Sequence, residues 1–208
     1  MKNSIIFVLL CFFVAGCAFT KADLNIGYDP AKAERGPLSS VQPLKIGISE
    51  LADSRKDKEV IGHKINGLGM ETADIITKKP VPEIMRSALI TMFEKNGHLL
   101  KDSGERIILD GEIKEFWLEL QMNMMTIEFM GTMSLLLNVK DANKNVLYTK
   151  EYQGHYDEKK AAGYVKSWEN VMNITLEKLM YQIATDRELV KALSNQAPQI
   201  TKSIEPAA

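Results

Sequence analysis

The side chain with the plainest chemistry in this 208-residue chain is the thiol of Cys17. It closes the run Val14-Ala15-Gly16-Cys17, behind an apolar stretch from Ile5 to Val14 and the positive charge of Lys2. A basic start, an apolar segment and a small-residue cleavage site together make a secretory signal peptide. The apolar stretch is too short to span a bilayer, which takes about 20 residues.

With a cysteine at its end, the segment resembles the lipobox of bacterial lipoproteins. In that class the chain is cut before the cysteine, whose thiol carries a diacylglycerol and whose new amine is acylated. The resemblance implies a lipoprotein signal peptide over residues 1–16 and lipidation at Cys17. Stable anchoring takes about two lipid signals, so three chains would hold the mature protein firmly. An aspartate after the cysteine commonly marks inner-membrane retention in the class. Ala18 stands there instead, which implies the outer membrane, facing the periplasm. Cys11 would leave with the signal peptide. Cys17 would then be the last cysteine, and no internal disulfide could form. The covalent diacylglycerol and N-acyl chain are the only prosthetic groups expected.

The remaining candidates for chemistry are weaker. His63, His98 and His155 are far apart, and no HExxH, paired cysteine or His-Asp-Glu run gives metal-ligand spacing. Ser54, Ser87, Ser103, Ser134 and Ser167 lack the GxSxG setting of an activated nucleophile. Asp110 and Glu112 share one strand parity, Glu115 and Glu119 the other, so a solvated face explains them better than an acid/base pair. No catalytic and no metal site is expected. A formal net charge of −1 argues against a nucleic-acid surface. Met85, Met125 and Met133 fit core positions, whereas Met122, Met124 and Met130 are left over and suggest an adaptable lipid or partner surface. The best candidate outside the anchor is the charged, glycine-bearing excursion through Asp53, Arg55, Gly62, Asn66, Gly67 and Gly69, a partner-binding loop. Its structural alternative is an Asp53–Arg55 pair that merely orders a turn.

These residues must be positioned by a modest set of elements. Residues 17–42 mix Pro, Gly and Ser with charges and read as a flexible tether; 195–208 read as a loose tail. Between them, 43–194 form one domain. Leu44, Ile46 and Ile48 alternate as a half-buried strand, and two short extended pieces flank Asn66-Gly67-Leu68-Gly69. Pro80 and Pro82 can begin a helix with Met85, Ala88, Leu89, Met92 and Phe93 on one face, stopped at Asn96-Gly97. Residues 107–120 alternate but change phase, which a bulge near Glu115 reconciles. The odd positions from Met125 to Val139 make the cleanest strand, and the polar cluster 141–145 turns it into Val146, Tyr148, Tyr152 and Tyr156. Trp168, Val171, Met172, Thr175, Leu176, Leu179, Met180 and Ile183 share one helical face, and Asp186 can cap a short helix through Leu193. The expected fold is α+β: a two-layer domain with a mixed or antiparallel sheet of about four to five strands covered by two main helices.

The lipobox, Leu51-Ala52-Asp53-Ser54-Arg55, Val60-Ile61-Gly62, the helix before Asn96-Gly97, Tyr152, Tyr156 and the closing helix near Asp186 together resemble the YajG-like family of bacterial lipoproteins. That resemblance spans roughly residues 43–194 and implies an outer-membrane lipoprotein without an assigned reaction. The expected function is a non-enzymatic, lipid-anchored module facing the periplasm. Its expected partners are the membrane through the anchor and an envelope protein or lipid, with no nucleic acid. The alternative is an accessory lipoprotein of an envelope lipid or lipopolysaccharide transport system.

Overall fold

A computed structural model of the chain describes residues 20–100, 107–122, 125–161 and 164–196. Cys17, Met124 and most of the expected tail lie outside the described residues. The strands are β1 (Ala22–Leu24), β2 (Lys45–Ile48), β3 (Ala52–Asp53), β4 (Gly62–Ile65), β5 (Glu71–Thr77), β6 (Leu99–Leu100), β7 (Ile107–Met122), β8 (Ile127–Asp141) and β9 (Val146–Lys160). The helices are α1 (Val81–Lys95), α2 (Val165–Thr185) and α3 (Arg187–Ser194), with a 3-10 turn at Pro37–Ser40.

All nine strands join one mixed sheet, with β7 at its centre. On one side β7 pairs antiparallel with β8, which pairs antiparallel with β9. On the other side the chain from β2 to β4 runs alongside β7 in three parallel pieces, β2 at Ile107–Leu109, β3 at Glu112–Ile113 and β4 at Leu118. β4 and β5 form an antiparallel hairpin, and β1 adds in parallel to β5.

This corrects the expected sheet of four to five strands under two helices. The additional strands β1, β3 and β6 are two or three residues long, and strands so short leave almost no alternation to read. They exist because a long neighbour offers them a partner. The expected flexible tether is corrected too, since from Ala22 onward it packs: Leu24 and Leu38 are fully buried, as are Ile26 and Val41 nearly so.

One sheet face carries the core. Leu109, Ile113, Phe116 and Leu118 of β7 meet Phe129, Met133, Leu135, Leu137 and Val139 of β8 and the buried face of α2. The phase change in β7 is a bulge between Ile113 and Glu115, which puts Phe116 back inside and leaves Lys114 and Glu115 both outside. Helix α2 lies on two glycines: a Cβ at Gly131 would stand 2.3 Å from Thr175 Oγ1, and one at Gly154 would stand 2.4 Å from the Thr175 carbonyl oxygen. Met85 and Met133 are buried as expected, but Met125 is 85% exposed because the chain leaves the sheet before β8 begins at Ile127.

Candidate functional site

The excursion Asp53 to Val60 is a detour between β3 and β4, and Arg55 holds it in shape. The guanidinium donates from Nε to Asp53 Oδ1 (2.9 Å) and from Nη2 to Asp53 Oδ2 (2.8 Å). It also donates to the carbonyls of Val60 (3.1 Å) and Lys58 (2.9 Å). A buried guanidinium needs this many acceptors, and the fork matches a carboxylate in two places at once. Burial pushes the Asp53 carboxyl up, but the hydrogen bonds and charge of Arg55 outweigh that and hold it below the usual range. Asp57 tightens the same turn by accepting from the amides of Glu59 and Val60.

The other face of the sheet is polar. The bulge on β7 and the detour together wall a cleft of about 660 Å³, bordered by Lys56, Lys114, Glu115, Trp117, Ser134 and Glu151 among others. Ser134 donates to Glu151 Oε1 at 2.6 Å, and that bond is the main reason the Glu151 carboxyl sits below its usual range. A general acid needs the opposite, a carboxyl raised toward neutrality by burial or by a like charge. Arg55, Lys56 and Lys114 are offset by Asp57, Glu115 and Glu151, so the cleft presents both signs with an aromatic floor at Trp117. Such a surface can recognise a polar partner. No group of His, Cys, Asp and Glu among the described residues could hold a metal ion.

The six loop residues do not converge. Arg55 lines the cleft, with Asp53 bonded to it. Gly62 is buried where β4 crosses β7, since a Cβ there would come 2.3 Å from the Leu118 carbonyl oxygen. Asn66, Gly67 and Gly69 form the β4–β5 tip, with Asn66 Oδ1 accepting from the amides of Leu68 and Met70 and Gly69 at φ +78°. The tip faces a separate hollow with Leu120, Met122, Ile127 and Trp168.

A second polar cluster centres on Asp186. Its Oδ1 caps α3 by accepting from Glu188 N (2.8 Å) and Leu189 N (3.2 Å). Its Oδ2 accepts from Lys150 Nζ (2.7 Å), Tyr148 (2.8 Å) and Tyr152 (2.9 Å). Burial acts to raise this carboxyl, yet the hydrogen bonds from Lys150 and the tyrosines hold it far below the usual range. Burial first, then the bonds to Tyr148 and Asp186, push the Tyr152 phenol far above its own. The cluster fastens α3 to β9.

A family model described as uncharacterized lipoprotein matches residues 45–194. The chain belongs to this lipoprotein family. The family description names no reaction. Among solved structures, the lipoprotein is similar to protein XCC0632 from Xanthomonas campestris (11% identity, TM-score 0.49, covering 85% of this chain and 97% of that one). It is also similar to a minor lipoprotein from Acinetobacter baumannii (14%, 0.44, 76% and 96%). A lipoprotein from Caulobacter crescentus gives 13%, 0.44, 80% and 98%. None of the curated proteins matches.

Sequence reasoning found the excursion of the lipoprotein but missed most of the cleft. Lys114, Glu115, Trp117, Ser134 and Glu151 come from three strands and join only through the β7–β8–β9 register. The one signal in the sequence was the phase change near Glu115, because bulges re-aim side chains and gather beside sites.

Proposed function

We propose that this chain is an outer-membrane lipoprotein of the YajG-like kind, held by acyl chains on Cys17 and facing the periplasm, whose domain binds another envelope component without catalysing a reaction. The observation that carries the reading is the family match over 45–194 behind Val14-Ala15-Gly16-Cys17. No helix among the described residues is long and apolar enough to cross a membrane. The cleft supports the binding part: its signs are mixed, and Glu151 is engaged by Ser134.

Two measurements test this. Fractionation of cells carrying Cys17→Ser should find the protein released from outer membranes with its domain folded; retention would defeat the anchor. Photo-crosslinking from Lys56 and Trp117 in intact envelopes should capture one reproducible envelope component, and Glu151→Lys should abolish that capture. Capture unchanged by Glu151→Lys would remove the cleft from the reading.

A further inference from the structure

Nine large apolar side chains stand exposed among the described residues, and six of them lie at one end of the domain. They are Leu68 and Met70 on the β4–β5 tip, Met122 at the end of β7, Met125 just before β8, and Tyr164 and Val165 where α2 begins. The sheet register brings them together. Met122 pairs with Ile127 and Ile127 with Lys160, a few residues before α2. Asn66, Met122, Ile127 and Trp168 line one hollow of about 160 Å³. Leu68 and Met125 are 84% and 85% exposed, nearly as free as in an unfolded chain.

The N-terminal segment emerges at this same end. β1 runs parallel to β5, so the chain ahead of Ala22 heads back toward the start of β5 and the hairpin tip. Lys64 Nζ on that hairpin donates to the Thr20 carbonyl at 2.6 Å. Cys17 is three residues before Thr20, a covalent reach of about 11 Å at most. A lipid on Cys17 therefore brings the bilayer to this end and to no other.

We propose that the apolar rim formed by Leu68, Met70, Met122, Met125, Tyr164 and Val165 sits in the headgroup–acyl boundary of the membrane that holds the anchor, and so fixes the orientation of the domain. This rests on Cys17 being the anchor. Interfacial apolar groups bury about 5–10 Å into that boundary, within the reach of the short linker. Exposed apolar surface gathered in one place marks an interaction site, whereas scattered apolar residues need no explanation. Trp168 borders the same hollow from the core side, itself buried, so the apolar lining continues inward beneath the rim. Three lysines nearby are already paired, Lys159 with Glu128, Lys160 with Glu158 and Lys166 with Glu169. The contact is thus apolar, and raising the salt concentration leaves it in place. The other three exposed side chains serve as controls. Leu99 and Val146 lie at the far end, where β2 and β6 pair and β9 begins, and Tyr181 lies on the last turns of α2.

The test uses the processed, acylated protein in vesicles of phosphatidylethanolamine and phosphatidylglycerol that carry a lipid-borne quencher. Leu68→Cys, Met125→Cys and Leu99→Cys are each labelled with an environment-sensitive fluorophore, the introduced thiol being the only free one. Flotation reports the anchor and quenching reports the rim. We expect all three to float, with labels at 68 and 125 quenched several-fold more than the label at 99, unchanged by high salt. Flotation with equal quenching at all three positions overturns the rim and leaves the anchor. Protection of 68 and 125 in native envelopes without quenching in pure vesicles overturns it in favour of a protein partner. Failure to float overturns anchor and rim together.

Discussion

Gly154 of β9 lies directly beneath Thr175 of α2, close enough that a Cβ on the glycine would stand 2.4 Å from the threonine carbonyl oxygen and 3.0 Å from Leu179 Cβ. The neighbour is helix backbone, which cannot swing aside as a flexible side chain would. Gly154→Ala must therefore lift α2 from the sheet.

The expected cost is that of an overpacked core, about 1–3 kcal/mol. The urea midpoint should fall accordingly. Gly67→Ala meets nothing within 4 Å and should leave the midpoint nearly unchanged. Equal effects at the two glycines would disprove the close seating of the helix.

Asp186→Ala removes a helix cap and takes the shared acceptor from the Tyr148 and buried Tyr152 hydroxyls, which keep only their mutual 3.3 Å contact, so one donor is left unpaired. A lost cap costs about 1 kcal/mol and a buried donor left unpaired about 1–3. The sum predicts roughly 2–4 kcal/mol, read from denaturant unfolding, with hydrogen exchange quickening first in α3. Asp186→Asn keeps the cap but lacks the charge that binds Lys150, and should fall between the two.

Stability should decline toward acid in two windows. Burial holds the His98 imidazole below its usual range, against a raising contact with the Leu38 backbone. The unfolded chain binds a proton there that the folded chain refuses, so stability present above about pH 6.5 is lost as pH falls below it. The depressed Asp186 carboxyl acts lower down, its contribution present above about pH 3.9 and lost as pH falls from there toward its folded value. Urea midpoints measured across this range should show both steps. His98→Asn should erase the upper one alone; persistence of that step would assign it elsewhere.

Arg55→Met leaves Asp53 without the partner that offsets its burial. Breaking a buried ion pair from one side costs about 3–5 kcal/mol, and the partial exposure of Asp53 sets the expectation at the lower end. Arg55→Lys keeps the charge yet cannot span Asp53, Lys58 and Val60 together, so it should restore only part of the loss. Limited proteolysis between Lys56 and Glu59 should rise in both variants. A neutral Arg55→Met would mean that the excursion orders itself.

Legibility followed element length. All of the buried face of α2 except Ala184 could be read because 21 residues repeat the helical period several times. The bulge in β7 could be read because a 16-residue strand shows its phase on both sides of the slip. Ala22, Leu24 and Ile26 do alternate with polar residues, but three positions beside prolines and glycines carry too little pattern, and the strand depends on β5 to exist. Asp186 was legible as a cap, which is local, while its bonds to Tyr148, Lys150 and Tyr152 lie 34 to 38 residues away and were not. The cleft was hidden for the same reason. Its walls are distant in sequence, and only the pairing of three strands makes them neighbours.

The parallel seating of β1 beside β5 also has a mechanical side. Tension arriving through the residues ahead of Ala22 runs along the strand and not across it. The load falls on the β1–β5 hydrogen bonds in shear, where they must yield together instead of opening one by one as in a zipper. A domain pulled from that side would therefore meet the force with a joint loaded in shear.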